Sequence, residues 1–242
     1  MKLYLVGFGP GSYEGMTIEA KNAIENSDII VGYTVYVELI KQYFPGKEYE
    51  STPMRKETDR VELALKLVSE GRNVAIVCSG DSVVYGMAGL AYQLACNYKN
   101  VEIGVIPGVT AAISGSAVLG APMTHDFCVI SLSDLLTPME TIENRLRCAA
   151  MGDFEIALYN PSSKKRADYL KRACDILLEC RDEDTVCGYV MNIGRDGEEY
   201  KLMTLRELRD EQVNMFTTVF IGNSQTVIID GKMVTPRGYK NA

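Results

Sequence analysis

Apolar positions in the first half of the chain follow two alternating rhythms. Short, mainly apolar runs at residues 3–6, 28–31, 74–78 and 101–106, broken only by Asp28 and Glu102, are separated by stretches where apolar side chains return every three or four positions. The first kind predicts strands buried on both faces and the second amphipathic helices, so this half reads as repeated strand-helix units on a mostly parallel sheet. Helices are expected from a cap at Thr17 to about residue 26, over 60–68 with Gly71 placed to end it, over 84–98 and over 109–119. The second half changes rhythm. A strand is expected at 128–132, a helix at 139–150, a strand at 155–159 and a helix at 164–180, followed by β-rich segments at 185–191, 200–204, 217–221 and 227–229. Asp230-Gly231 is a two-residue hairpin signal of the type I′ kind. Such late hairpins predict a mixed sheet with antiparallel edges. Pro122 breaks the helix before it, so the pattern gives an α/β fold of two domains, an N-terminal one over 1–122 and a C-terminal one over 123–242.

Composition narrows the chemistry by exclusion. The 242 residues carry a net charge of −7, which argues against a nucleic-acid binder. With one histidine, no site needing two imidazoles is possible, HExxH included, and no metal is expected. The seven cysteines include no CxxC pair and are odd in number, which fits a reducing cytoplasm. Residues 103–124 carry no charge, but Pro107-Gly108 divides them into a strand and a helix, so no membrane span is expected.

Three glycine-bearing turns follow three of the expected strands. Gly7-Phe8-Gly9-Pro10-Gly11 begins like a dinucleotide fingerprint, but its third glycine would fall at Ser12, and Pro10 lacks the N–H that a phosphate cradle uses. It is either a tight strand-to-helix turn or a loop whose glycines, Gly9 and Gly11 among them, let a flat ligand reach the backbone. In Ser79-Gly80-Asp81-Ser82-Val83-Val84-Tyr85-Gly86, Asp81 stands just past a buried strand, as a ligand-binding carboxylate or as a helix cap. Pro107-Gly108-Val109-Thr110-Ala111-Ala112 offers small residues and a hydroxyl at a helix start, and ordinary turn chemistry would explain it equally. All three would meet at one sheet edge.

Together these turns resemble the tetrapyrrole methylase superfamily, along essentially the whole chain. In the second half, His125-Asp126-Phe127-Cys128, Ser131-Leu132-Ser133-Asp134-Leu135-Leu136-Thr137-Pro138, Tyr159-Asn160-Pro161 and Thr235-Pro236-Arg237-Gly238-Tyr239 are similar to the precorrin-3B C17-methyltransferase family. The resemblance implies a fold with its active site in a cleft between the two domains and S-adenosylmethionine as donor, leaving S-adenosylhomocysteine. It implies methylation of C17 on an acidic tetrapyrrole, with or without cobalt, with ring contraction on the way to cobalamin. A cytoplasmic homodimer is also implied. By the same resemblance, Pro10, Gly80, Asp81, Val84, Thr110, Ala111 and Asn160 would bind the donor. His125 and Asp126 would transfer protons or, on the blander reading, fix the linker. A polycarboxylate substrate on an acidic protein needs local cations, and Arg55 and Arg237 are the expected ones, with the cluster Lys164-Lys165-Arg166 read as a solvated helix start. The alternatives are a corrin methylase acting at C11 or C20, a uroporphyrinogen-III-type methylase, or a donor-binding module without turnover.

Overall fold

Leu3 and Leu5 point to one side of the first strand and Val6 to the other, and all three are without solvent exposure. This strand, β1 (Lys2–Gly7), lies near the middle of a five-stranded sheet. It is followed by α1 (Ile18–Glu25), β2 (Ile29–Tyr33), α2 (Thr34–Lys41), β3 (Glu48–Thr52), α3 (Glu57–Ser69), β4 (Val74–Cys78), α4 (Ala88–Ala95) and β5 (Glu102–Ile106). The strand order is β3-β2-β4-β1-β5 and every pairing is parallel. Ala20, Ile24, Val37 and Ile40 of α1 and α2 cover one face, and Val61, Leu65, Ala88 and Ala91 of α3 and α4 cover the other. The expected cap is present: the Thr17 hydroxyl accepts the N–H of Ala20 at 3.0 Å.

Neighbouring strands β1 and β4 therefore send their following helices to opposite faces. The chain leaves their C-terminal ends in opposite directions, which is where open α/β sheets place a ligand.

This first sheet belongs to a unit comprising Met1–Thr110; a second unit comprises Ala111–Ala242. The computed structural model describes residues 1–163 and 167–239. The second unit contains α5 (Ala111–Leu119), β6 (Gly120–Ala121), β7 (Phe127–Ser131), α6 (Met139–Met151), β8 (Glu155–Tyr159) and α7 (Tyr169–Leu177). It continues with β9 (Val186–Met191), β10 (Glu199–Thr204), α8 (Leu205–Leu208), β11 (Thr217–Ile221), β12 (Val227–Ile229) and β13 (Lys232–Val234). Its main sheet runs β10-β9-β11-β8-β7; β7 and β8 are parallel and the remaining pairs antiparallel, the mixed sheet expected. One face carries α6, α7 and α8, while α5 packs Ala112 and Leu119 against Ala157, Val190 and Phe220.

Several details differ from the sequence pattern. The unit boundary falls at Thr110/Ala111 and not beside Pro122, because α5 packs within the second unit. Gly115 shows how closely, since a Cβ there would stand 2.7 Å from Phe220 Cζ. Helix α4 starts at Ala88 and not at 84, because residues 82–87 are held as a loop by Asp81 and by Tyr85 at φ +54°. The hairpin is of the expected kind, with φ of +49° at Asp230 and +72° at Gly231, but β12 and β13 join β6 in a separate three-stranded sheet. The start of the helix expected at 164–180, including Lys164-Lys165-Arg166, lies outside the described residues; the described helix is α7. Among the described residues no helix is long and apolar enough to cross a membrane.

Candidate functional site

At the C-terminal edge of the first sheet the three glycine turns lock into one piece. Gly9 N–H donates to Gly80 O at 3.0 Å and Gly80 N–H returns to Gly9 O at 2.7 Å, joining the β1 and β4 turns across the switch point. Gly9 has φ +78°, a left-handed conformation that glycine enters without a Cβ penalty. The β5 turn enters from the other side. A Cβ on Gly7 would sit 2.7 Å from Gly108 N and 2.8 Å from Gly80 O, so only bare backbone allows the approach. The Ser82 hydroxyl adds a bond to Ile106 O at 3.0 Å.

Asp81 is the electrostatic centre of this piece. It is 8% exposed, and its Oδ1 accepts the N–H groups of Val83 at 2.7 Å and Val84 at 2.9 Å while Oδ2 accepts that of Gly108 at 2.9 Å. Burial by itself pushes the carboxyl pKa up. The backbone N–H bonds from Gly108, Val84, Val83 and Ser82 outweigh it and hold the group below the usual aspartate range. Asp81 is thus an ionised carboxylate in a dry setting, and it closes a local turn as well as bridging to a turn 27 residues away. Beside it Val83, Val84 and Tyr85 are 64%, 37% and 57% exposed, an apolar rim next to a fixed negative charge. Pro10 is half-buried and Gly11 buried, with φ +142°. Arg55 lies on an exposed turn after β3, at the same sheet edge, with φ +66°.

In the second unit the motifs again form linked pairs. The Tyr159 hydroxyl at the end of β8 accepts the N–H of Ala112 at 2.6 Å, so a side chain 47 residues away caps the first turn of α5 next to Ala111. Asn160, exposed at φ +54°, donates through Nδ2 to Ser131 Oγ at 2.9 Å, which ties Tyr159-Asn160-Pro161 to the run that begins at Ser131. Tyr159→Phe removes the hydroxyl that caps α5 and is expected to lower unfolding free energy by about 1–2 kcal/mol in a denaturant titration.

The 125–128 and 235–239 segments form the other pair. Thr235 donates to Pro122 O at 2.7 Å, the Thr124 hydroxyl donates to Thr235 O, and His125 Nε2 stands 3.1 Å from Pro236 O. A carbonyl only accepts, so the neutral imidazole carries its proton on Nε2 and keeps Nδ1 as an acceptor. Asp126 is exposed, and Arg237 is exposed one residue past the carbonyl that holds His125. Cys128 is no nucleophile at neutral pH: burial pushes its thiol up to about 11. Among the described residues no group of three or more His, Cys, Asp or Glu side chains could hold a metal ion.

Glu155 went unnoticed in the sequence. It is 1% exposed, and burial pushes its pKa up. The Thr235 hydroxyl, the His125 amide and Arg181 oppose that shift without cancelling it. A carboxyl whose folded pKa is raised stabilises the fold below its ordinary pKa and loses that contribution as pH rises through the folded value. Thermal melts from about pH 4 to 8 are therefore expected to show a declining midpoint on the alkaline side, and Glu155→Gln is expected to flatten it.

The first unit thus joins Gly9, Gly80 and Asp81, with Pro10 and Val84 on the same loops. The second links Asn160, Ser131 and the helix start at Ala111 at the C-terminal end of β7 and β8, and His125 with Arg237's segment at their other end. Thr110 ends the first unit.

Residues 2–209 match the family described as tetrapyrrole (corrin/porphyrin) methylases. The cobalamin biosynthesis protein CbiHC of Archaeoglobus fulgidus is 47% identical over 241 residues, which is 99% of this chain but 53% of that protein, so the chain spans about half of its length. A Salmonella typhimurium protein named probable cobalt-factor III C(17)-methyltransferase is 45% identical over 238 residues, covering 98% of this chain and 99% of that one. The crystal structure of the methyltransferase CobJ superposes with a TM-score of 0.90 at 35% identity, covering 97% of this chain and 99% of that chain.

Proposed function

Because the chain belongs to the tetrapyrrole (corrin/porphyrin) methylases, we propose that it transfers the methyl group of S-adenosylmethionine to C17 of precorrin-3B or its cobalt complex, with ring contraction, in cobalamin biosynthesis. The supporting observation is the switch point of the first sheet, where three glycine turns hold a buried, ionised Asp81 beside an apolar rim. These residues fit the donor. A negative charge in low dielectric favours a sulfonium cation, and Val83, Val84 and Tyr85 suit the apolar faces of an adenosyl group.

When bound, S-adenosylmethionine supplies an electrophilic methyl for in-line displacement by an electron-rich ring carbon, so no protein nucleophile is required. The chain's residues orient and exclude. The turns joined through Gly9, Gly80, Asp81 and Gly108 form a surface already bonded to itself, which limits reorganisation on binding. Donor contacts are assigned to Pro10, Gly80, Asp81, Val84, Thr110, Ala111 and Asn160. Gly9 and Gly11 let the macrocycle approach the backbone, and Arg55 and Arg237 pair with its carboxylates. His125 accepts a proton at Nδ1 during ring contraction, with Asp126 as the exposed carboxylate beside it.

The active form is assigned as a cytoplasmic homodimer. The exposed strip Val227, Ile228 and Ile229 offers apolar surface for a second copy, and the exposed thiols Cys96, Cys148 and Cys180 fit a reducing compartment.

Incubation with methyl-labelled donor and the cobalt tetrapyrrole, followed by mass spectrometry, is expected to show one methyl added. Donor binding without transfer would overturn the reading in favour of a non-catalytic module.

A further inference from the structure

Arg60 is 3% exposed and forms no ion pair among the described residues, an unusual place for a permanent cation. One terminal nitrogen donates to the carbonyls of Thr52 at 3.3 Å and Pro53 at 3.1 Å, and the other to Met87 Sδ at 3.4 Å. Its Nε has no hydrogen-bond partner among the described residues, and neither has the nearby buried Thr52 Oγ1. Burial pushes the guanidinium pKa down; Glu57, in the first turn of the same helix, is the largest opposing influence. A leucine or methionine would fill this position without desolvating a charge.

The contacts show what the guanidinium holds. Thr52 and Pro53 open the turn that carries Arg55, whose φ of +66° puts a long side chain in a left-handed conformation that surrounding structure has to maintain. Met87 closes the loop that starts at Asp81. Arg60 thus spans the two loops from beneath, fixing the Arg55 turn relative to the loop beside the donor residues. Arg55 itself is exposed.

We propose that Arg60 is a positioning residue. Its planar fork sets the Arg55 turn so that Arg55 meets a substrate carboxylate, making the pair the polycarboxylate-recognising element of the first unit. The inference rests on the methyltransferase reading for the identity of the substrate. Lysine keeps the charge but cannot reach two carbonyls and a sulfur at once, so geometry and charge separate experimentally.

Arg60→Lys, Arg60→Met, Arg55→Ala and Arg55→Ala combined with Arg60→Lys would be compared by KM for the cobalt tetrapyrrole, kcat, S-adenosylhomocysteine affinity and melting temperature. Arg60→Lys is expected to raise the tetrapyrrole KM about tenfold, with kcat and S-adenosylhomocysteine affinity within about twofold of the parent. In the Arg55→Ala background the same change is expected to add nothing. Parent-like KM in Arg60→Lys, additivity with Arg55→Ala, or equal weakening of both ligands would overturn the proposal. If the parent chain transfers no methyl, the functional reading fails by itself. The same cycle is then read by fluorescence quenching on binding of uroporphyrin, a tetrapyrrole octacarboxylate, where additivity still refutes the role of Arg60.

Discussion

Replacing Asp81 with alanine is expected to lower the unfolding free energy by about 4 kcal/mol and the affinity for S-adenosylmethionine by more than about a hundredfold. Three backbone N–H groups, those of Val83, Val84 and Gly108, would lose their acceptor at a site that is 8% exposed. Each orphaned donor costs roughly 1–3 kcal/mol, reduced where the loop relaxes into water. Asp81→Asn separates charge from shape. Its Oδ1 still serves Val83 and Val84, but its amide nitrogen would face the Gly108 N–H donor to donor. A fold weakened less than in the alanine variant, with donor affinity still lost, is the expected pattern, checked by denaturant titration and calorimetry. The pH dependence carries the same signature. A carboxyl held below its ordinary pKa stabilises the fold fully above that ordinary value and loses the contribution as pH falls through the folded one. The parent should therefore lose stability toward acid more steeply than either variant.

Gly108→Ala should have an effect of similar size from one added methyl. The new Cβ would collide with the carbonyl oxygens of Gly80 and Gly7, both on backbone that is already hydrogen-bonded. No flexible side chain can move aside, so the turns themselves must part. A loss of about 3 kcal/mol or more is expected, together with loss of donor binding in whatever fraction stays folded. Gly71→Ala is the control, since a Cβ there meets nothing within 4 Å. Its φ of +94° restricts its effect to backbone strain, with donor affinity unchanged.

Physical causes account for what the sequence did and did not reveal. Strands such as β4 and β8 were legible because continuous apolar runs leave few other conformations. Strand β3, Glu-Tyr-Glu-Ser-Thr, was not legible: it is a polar edge strand with no alternation to read, and the helix α2 before it was missed with it. The capping box at Thr204 and Glu207 was visible as T-x-x-E and would have revealed the short α8. The α5 segment was readable as a helix, but the unit it joins depends on Gly115 under Phe220, a contact across 105 positions.

The site shows the same division. The three turns were legible one at a time, and Asp81 could be read as a cap because its bonds to Val83 and Val84 are local. Its bond to Gly108, which makes the turns one object, has no local signal. Arg60 and Glu155 were hidden for a related reason: a charged residue in a helix or at a strand start reads as a solvated face, and only packing shows it buried.

Methylation at one defined ring carbon separates a C17 enzyme from the other corrin methylases. NMR of the product formed from isotopically methyl-labelled donor and the cobalt tetrapyrrole tests it most directly. One labelled methyl at C17 of a contracted ring is the expected result; label at any other ring carbon, or no label in the macrocycle, would contradict it.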